Sequence, residues 1–186
     1  MKHRSLTLFA IVFISLLTGC ALPDRRHKVV VSVPDQRMLL FRDGQEIAAF
    51  PVSTSKFGLG AGENTKFTPL GRHAIAKKIG GNAPAGTVFK SRKKTGEILP
   101  VNAPGRDPIV TRILWLEGLE PQNRNSFDRY IYIHGTPEER TIGTPASYGC
   151  IRMRSADVIA LYDVVGRGAE VEIVNAPLAS QVPRQP

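Results

Sequence analysis

The chain has 186 residues, a formal net charge of +9 and a hydrophobic fraction of 42%. That length fits one domain with short tails and can bury a sizeable core, and the apolar fraction excludes extensive disorder. The positive charge suits an anionic partner such as nucleic acid, an anionic membrane surface or an acidic polymer.

The N-terminal residues have the organisation of an export signal. A basic stretch, residues 1–4, precedes an apolar run from Leu6 to Leu17 that is too short for a comfortable membrane span. Small residues and Cys20 follow, and this order resembles a bacterial lipobox, in which the cysteine is lipidated and becomes the mature N-terminus. We predict a lipoprotein signal peptide in residues 1–19, a lipidated Cys20 with a tether to residue 27, and an exported protein anchored to a membrane. An ordinary signal peptide, or an uncleaved anchor with an incidental cysteine, is the alternative.

Export changes the expected partners and the reading of the cysteines. The predicted signal contains basic but no acidic residues, so the exported part remains basic, and nucleic acid is not expected as its partner. The chain has two cysteines, Cys20 and Cys150. If Cys20 carries lipid, Cys150 has no disulfide partner within the chain. Gly149 and nearby Ser147 favour a special backbone turn at Cys150 over a buried, inert cysteine.

The residues after the tether alternate between short apolar runs and turns, which is typical of a mainly β domain. Asp43-Gly44 supplies a hairpin turn, and Arg92–Lys94 reads as a charged loop. The predicted strands lie within 29–33, 38–41, 46–52, 69–76, 88–90, 109–117, 130–133 and 169–174.

One helix and two irregular segments complete the predicted organisation. Ser155 is a suitable cap for a helix that reaches Val165, with glycines at 166 and 168 ending it. The Gly-rich segment 55–68 lacks the Gly-Lys-Ser/Thr ending of a P-loop, so we expect a plain surface loop. The Pro-rich residues 176–186 are expected to form a tail, which leaves residues 28–175 as one domain.

The central stretch, residues 130–153, brings a histidine and a cysteine to element boundaries. His134 follows a short apolar strand, and Cys150 follows a polar loop rich in Gly, Pro and Thr. A free thiol, with a pKa of about 8.5, is only a few per cent ionised near neutral pH, and a nearby imidazole or helix N-terminus lowers that pKa. We interpret Cys150 as a nucleophile and His134 as its base. A buried, satisfied histidine beside an inert cysteine is the alternative.

The same stretch resembles a known family. His-Gly-Thr at 134–136, followed by Ser-Tyr-Gly-Cys-Ile-Arg-Met at 147–153, is similar to the signature of the L,D-transpeptidase (YkuD-type) catalytic domain. The segments 68–71 and 168–173 resemble that family's strand entry and closing strand, so the similarity covers most of residues 28–174. The resemblance implies a β-rich fold and a cysteine enzyme that acts on peptidoglycan stem peptides, with neither a cofactor nor a metal.

The chemistry expected of such an enzyme assigns roles to the turn. Cys150 would attack the carbonyl of the bond between an L-centre and D-alanine, and His134 would take the thiol proton and return it to the leaving amine. The N–H groups of Tyr148, Gly149 and Cys150 are candidates for the oxyanion hole, where glycine allows close approach. Ser147 either orients His134 or braces the turn.

Further residues are assigned to the substrate. Gly135 and Thr136 belong to this group, and Arg152 would pair with a substrate carboxylate, the alternative being a structural ion pair. Many members of the family have histidine where this chain has Tyr148. We expect this tyrosine to shield the thioester and pack against an acceptor, the alternative being a core position. The group that orients His134 is expected to be Asp128, Glu138 or a backbone carbonyl.

The sequence leaves other functions open. The predicted transpeptidase has as its alternatives an L,D-carboxypeptidase or endopeptidase, which passes the acyl group to water, and a non-catalytic wall-binding lipoprotein. A zinc site could combine His27 and His73 with His134 and Cys150, although no CxxC, HxxxH or HExxH spacing supports it. The acyl acceptor and the oligomeric state are not determined.

Overall fold

Strands dominate the computed structural model, which describes residues 22–181. The α-helix α1 (Ser155–Val164) and two 3-10 turns, Glu139–Thr141 and Leu178–Ser180, are the helical elements of this range. No helix in residues 22–181 is long and apolar enough to cross a membrane. The predicted mainly β fold is confirmed. The strands are β1 (His27–Ser32), β2 (Arg37–Arg42), β3 (Gln45–Pro51), β4 (Gly71–Ile79), β5 (Thr87–Lys90), β6 (Lys93–Ile98), β7 (Ile109–Gly118), β8 (Tyr132–Gly135), β9 (Ile151–Met153) and β10 (Glu170–Val174).

All ten strands belong to one sheet that branches at β7. Its main path runs β3-β2-β1-β10-β4-β7-β5-β6, and β8 pairs with both β7 and β9 outside this path. The pairs β1–β10 and β8–β9 are parallel, and the other pairs are antiparallel. The branch formed by β8 and β9 carries the two residues that the sequence marks as functional.

Strand β7 separates two hydrophobic clusters because both of its faces are buried. Leu114 and Leu116 face the main core, which also receives Val158 and Leu161 of α1. Ile113 and Trp115, on the alternate face, pack with a smaller cluster that reaches Cys150. The apolar side of α1 thus anchors the sheet on one side, and the smaller cluster supports the candidate site.

The structure adds β6 and β9 to the predicted strands, and it also shifts strand boundaries. Strand β8 begins at Tyr132 and not at Tyr130, because Tyr130 has a φ of 58° and closes a turn in which its N–H donates to the Phe127 carbonyl (N to O 3.0 Å). Lys93 and Lys94 lie in β6, and the turn that precedes them contains Arg92 with a φ of 66°. Two of the three residues of the charged run therefore lie in a strand, at the exposed edge of the sheet.

The start of α1 also differs from the prediction. The N-cap position is Arg154, which provides no side-chain cap, and Ser155 lies inside the helix. The carboxylate of Glu139 accepts the N–H of Ser155 (Oε1 to N 2.8 Å) and so caps the helix from a neighbouring turn. A cap supplied from 16 residues upstream has no local sequence signal.

Candidate active site

His134 lies on β8 with only 6% of its surface exposed. Its Nδ1 is 2.8 Å from the carbonyl oxygen of Gly135. Because a carbonyl only accepts hydrogen bonds, Nδ1 carries the proton and Nε2 keeps its lone pair. The structure thus places a backbone carbonyl beside His134, whereas the other two candidate orienting groups lie elsewhere: the Glu138 carboxylate pairs with Arg140, and Asp128 lines a surface depression.

Cys150 immediately precedes β9, and the parallel pairing of β8 with β9 brings it beside the histidine strand. Ile133 pairs with Ile151 and His134 with Arg152, so Cys150 lies next to Tyr132. Cys150 is half-buried as a residue and packs against the smaller cluster. It donates a weak hydrogen bond to the Tyr130 carbonyl (Sγ to O 3.4 Å), and not to His134, within the part of the chain that the structure describes. A nucleophile and its base often form their hydrogen bond only in the complex with substrate.

Burial keeps both groups neutral at rest. It lowers the pKa of His134 to about 4, against the opposing hydrogen bond to Gly135, and so the imidazole remains an available base above that pH. Burial also raises the pKa of the Cys150 thiol to about 11, and the Tyr132 N–H and the Arg129 charge only partly oppose this rise. The site therefore holds a thiol and an imidazole, rather than a preformed ion pair.

The turn before Cys150 is braced by hydrogen bonds of its own. The Ser147 hydroxyl donates to the Cys150 carbonyl (2.5 Å) and accepts the Gly149 N–H (N to O 3.2 Å), so Ser147 braces the turn and does not contact His134. Gly149 has a φ of 119°, and a Cβ there would lie 3.2 Å from the Phe67 carbonyl oxygen. The N–H groups of Tyr148 and Cys150 have no partner among residues 22–181 and are the turn's available donors.

The residues that follow His134 are buried in a polar network beneath the site. Gly135 is in close contact with β7, where a Cβ would lie 2.7 Å from the Val110 carbonyl oxygen. The hydroxyl of Thr136, a fully buried residue, donates to Asp107, and Arg152 forms an ion pair with the same carboxylate. The structure thus gives Arg152 and Thr136 protein partners, which is the arrangement expected for the structural alternative.

Tyr148 lies at the surface and not in the core, with 58% of it exposed. Its ring centroid is 5.3 Å from that of Phe57, at an interplanar angle of 54°. The ammonium groups of Lys56 and Lys66 lie 4.7 and 5.1 Å from the centroid of the Tyr148 ring. The loop predicted to be plain surface therefore contributes three side chains beside the turn of residues 147–150, which we call the catalytic turn for its predicted role.

Sequence reasoning also missed Arg129 and the backbone of Tyr130. Arg129 donates to the carbonyls of Gly60, Thr65 and Phe67 (3.3, 3.2 and 2.8 Å), which ties segment 60–67 to the turn before β8. Its charge favours the thiolate of Cys150. A depression of about 410 Å³ extends from Arg129 and Tyr130 to Asn125. Only the polar character of residues 121–129 signalled this region in the sequence.

The histidines proposed for zinc lie apart from one another. His73 has both ring nitrogens occupied, by the Gly71 carbonyl and the Ser126 hydroxyl (3.0 and 3.1 Å), and burial lowers its pKa. His27 pairs with Asp24 (Nδ1 to Oδ2 2.8 Å) in a groove of about 660 Å³ that contains no residue of the catalytic turn. No group of three or more potential metal ligands occurs in residues 22–181. Cys20 and the predicted signal lie outside the described residues.

Comparison with known proteins places these features in a family. Residues 26–173 match the model of YkuD, the L,D-transpeptidase catalytic domain. The probable L,D-transpeptidase ErfK/SrfK of Escherichia coli K12 is 29% identical over 161 residues, which are 84% of this chain and 47% of that protein. The probable L,D-transpeptidase YbiS of the same strain is 27% identical over 164 residues, 84% of this chain and 48% of the relative. The chain thus spans about half the length of the curated relatives it matches.

Solved structures share the fold. L,D-transpeptidase LdtMt1 in complex with imipenem superposes with a TM-score of 0.52 at 21% identity, over 80% of this chain and 59% of that one. L,D-transpeptidase 3 from Mycobacterium tuberculosis gives 0.53 at 18% identity, over 80% and 61%. At these identities the likeness establishes the architecture of the sheet and its helix.

Proposed function

The chain belongs to the YkuD family of L,D-transpeptidase catalytic domains, and we propose that it is a cysteine acyltransferase that cross-links peptidoglycan stem peptides. One observation carries the proposal: parallel strands β8 and β9 bring His134, with its Nε2 lone pair free, beside the strand that Cys150 enters. We propose that residues 28–175 form the catalytic domain, and the family match over residues 26–173 supports this.

The first half of the reaction forms an acyl-enzyme. The Cys150 sulfur attacks the carbonyl carbon between the L-centre and D-alanine while Nε2 of His134 takes the thiol proton. The tetrahedral intermediate collapses, the C–N bond breaks, and the imidazolium returns the proton to D-alanine as the leaving amine. Because both groups are neutral at rest, proton transfer accompanies attack, and the Tyr132 N–H and Arg129 charge stabilise the sulfur as its negative charge develops.

The oxyanion of this intermediate needs donors aimed at it. We assign this role to the backbone N–H groups of Tyr148 and Cys150, since the N–H of Gly149 is occupied by Ser147. Gly149 then acts through its conformation: a φ of 119° turns the chain so that its neighbours can face the substrate. Ser147 is a positioning residue that holds this geometry.

The second half transfers the acyl group to an amine. An acceptor amine attacks the thioester, His134 takes the proton from the attacking nitrogen, and the thiol is restored. We propose that the exposed ring of Tyr148 shields the thioester from water and packs against the acceptor, and its position at the surface supports this role. We therefore propose transpeptidation as the main activity and L,D-carboxypeptidase activity as the minor branch.

The location of the enzyme is a further part of the proposal. We propose that residues 1–19 are a lipoprotein signal peptide and that lipidated Cys20 anchors the protein to a membrane facing the cell wall. A single acyl chain anchors only marginally, whereas the multiple chains of a lipoprotein anchor stably. Cys20→Ser should abolish the acyl mass and release the domain or leave it held by an uncleaved signal; a soluble native protein with another mature N-terminus would contradict lipidation.

Mass analysis of muropeptides after incubation with the purified protein tests the activity. Cross-linked products whose formation depends on Cys150 support transpeptidation. If the products are only trimmed tripeptides in the presence of abundant acceptor, the transferase assignment fails and the L,D-carboxypeptidase alternative is supported. The wall-binding alternative predicts binding without any change in the muropeptides.

A further inference from the structure

Two lysines surround one exposed aromatic pair beside the catalytic turn. The rings of Phe57 and Tyr148 are 45% and 58% exposed as residues. The ammonium groups of Lys56 and Lys66 each lie 5.3 Å from the centroid of Phe57, and they lie 4.7 and 5.1 Å from that of Tyr148. We call these four residues the cation–aromatic platform.

The two charges of the platform are not compensated by protein. Neither lysine forms an ion pair with a carboxylate anywhere in residues 22–181. Two ammonium groups that share the same rings repel each other, and an exposed cation–π contact returns only about 0.5–1 kcal/mol. An anion placed between them would be attracted by both. The arrangement is therefore complementary to a negative group that the protein itself does not supply.

The platform is attached to the nucleophile through backbone contacts. The N–H of Lys56 donates to the Ser147 carbonyl (N to O 3.1 Å), and the Lys66 carbonyl accepts the Ser55 hydroxyl (2.5 Å). The Thr68 hydroxyl donates to the Gly149 carbonyl (3.0 Å). Because residues near both ends of the Gly-rich loop bond to the turn that presents Cys150, a ligand on the platform is held at a fixed position relative to the thiol.

We propose that the cation–aromatic platform binds a carboxylate of the peptide whose carbonyl Cys150 attacks. The peptide lies across the faces of Phe57 and Tyr148, and its carboxylate accepts charge-assisted hydrogen bonds from Lys56 and Lys66. This inference rests on the proposed acyl-transfer function and adds to it a requirement for an acidic substrate. The two lysines determine specificity, because they contribute binding to acidic peptides and not to neutral ones.

An anionic membrane surface is the other occupant that such a patch would suit. The peptide is favoured because the platform adjoins the nucleophile, so that a membrane seated there would cover the site. Two lysines also form a much smaller patch than the clusters of four to eight that bind anionic lipid. Membrane binding is therefore an outcome of the test that would overturn the proposal.

A pair of matched alkylating agents tests the anion site without a peptide. Iodoacetate and iodoacetamide each alkylate the Cys150 thiolate with loss of iodide, and they differ mainly in charge. We expect Lys56→Gln/Lys66→Gln to lower the ratio of the iodoacetate rate constant to the iodoacetamide rate constant by about five-fold at low salt. The matched variant Arg25→Gln/Arg42→Gln removes two exposed charges near Asp43, beside a groove that contains no platform residue, and should keep the native ratio. An equal ratio in all three proteins would overturn the proposal.

A pair of donor peptides, one with a free carboxylate and one with that group amidated, tests the substrate requirement. For the acidic donor we expect Lys56→Gln/Lys66→Gln to raise KM about ten-fold with a much smaller change in kcat, as expected for loss of charged hydrogen bonds. Amidation should raise KM similarly in the native protein, and the lysine variant should not distinguish the two donors. A variant that still prefers the acidic donor as strongly as the native protein does would overturn the proposal.

Vesicles with and without anionic phospholipid complete the test. If the lysine substitutions abolish binding to anionic vesicles while the alkylation ratio and the donor preference stay native, the platform faces a membrane and the proposal fails. If no stem peptide acylates the native protein, the proposed transferase activity fails, whereas the alkylation ratio still reports whether the platform is an anion site.

Discussion

Two aromatic clusters flank Cys150: the buried cluster around Trp115 and the exposed cation–aromatic platform. They differ in burial and in the elements, strands or loops, that carry them. Trp115 is 7% exposed, stacks on Phe127 at 4.1 Å between centroids, and lies among Tyr130 and Tyr132 at the base of the site. The platform residue Tyr148 is 58% exposed and is held by loops. Both clusters carry cations over their rings. The same residue types thus stabilise the fold where strands bury them, and are available to a ligand where loops expose them.

The largest effect is expected where the two clusters meet. Cys150→Ala should lower turnover by at least about 10³-fold, because the nucleophile is lost. A carbapenem should add its mass to the native chain and not to the variant. Cys150 is a half-buried residue at the edge of the smaller cluster, so the melting temperature of the variant should stay near the native one. Labelling that persists in Cys150→Ala would show that another residue is the nucleophile.

The pH dependence of thiol alkylation measures how strongly the Trp115 side buries the sulfur. Burial raises the thiol pKa to about 11, so the thiolate fraction is small at pH 7 and grows as the pH rises towards 11. Alkylation by iodoacetamide should therefore accelerate roughly ten-fold per pH unit between pH 7 and 10. A rate that levels off near pH 7 would instead indicate a preformed thiolate–imidazolium pair.

Truncation of one ring on each side should separate the two clusters by stability. Trp115→Ala should lower the free energy of unfolding by about 3–5 kcal/mol, because it leaves a cavity under the sheet. Tyr148→Ala should change it by less than about 0.5 kcal/mol, since an exposed side chain contributes little. Denaturant unfolding measures both. Equal losses would mean that the platform is part of the core.

The smallest expected effect concerns the fate of the acyl-enzyme. Tyr148→Ala should raise hydrolysis relative to cross-linking by about five-fold, a change in line with the loss of one aromatic contact. Tyr148→Phe keeps the ring and should keep the native ratio of products. Product analysis with abundant acceptor measures the ratio of hydrolysed to cross-linked product. An unchanged ratio in Tyr148→Ala would contradict the proposed shielding role of the ring.

Local patterns were sufficient to predict the parts of the fold that depend on neighbours in sequence. The hairpin turn at Asp43-Gly44 forms with φ values of 51° and 82°, as its residue types require. The closing strand and the helix after Cys150 were also predicted, the helix with the wrong cap. His134 and Cys150 were recognised because their signature lies within one short stretch, although their roles remain predictions.

The parts that were missed depend on contacts between distant segments. Lys56 meets Tyr148 across 92 positions, because the pairing of Ser55 with Ser147 and the hydrogen bond of Thr68 to Gly149 bring their segments together. Likewise Arg129 reaches carbonyls more than 60 positions away. A Gly-rich loop has no periodicity that would reveal its packing partner, so its place beside the nucleophile could not be read from the sequence.

The central claim is that the acyl group passes through the sulfur of Cys150. The most direct test is intact-mass measurement after brief incubation of the full chain with a tetrapeptide stem donor, followed by peptide mapping. The expected mass increase equals that of the acyl group that remains once D-alanine has left. The adduct should lie on Cys150, and an added amine acceptor should discharge it. Cross-linked products formed without this adduct, or an adduct on another residue, would contradict the central claim.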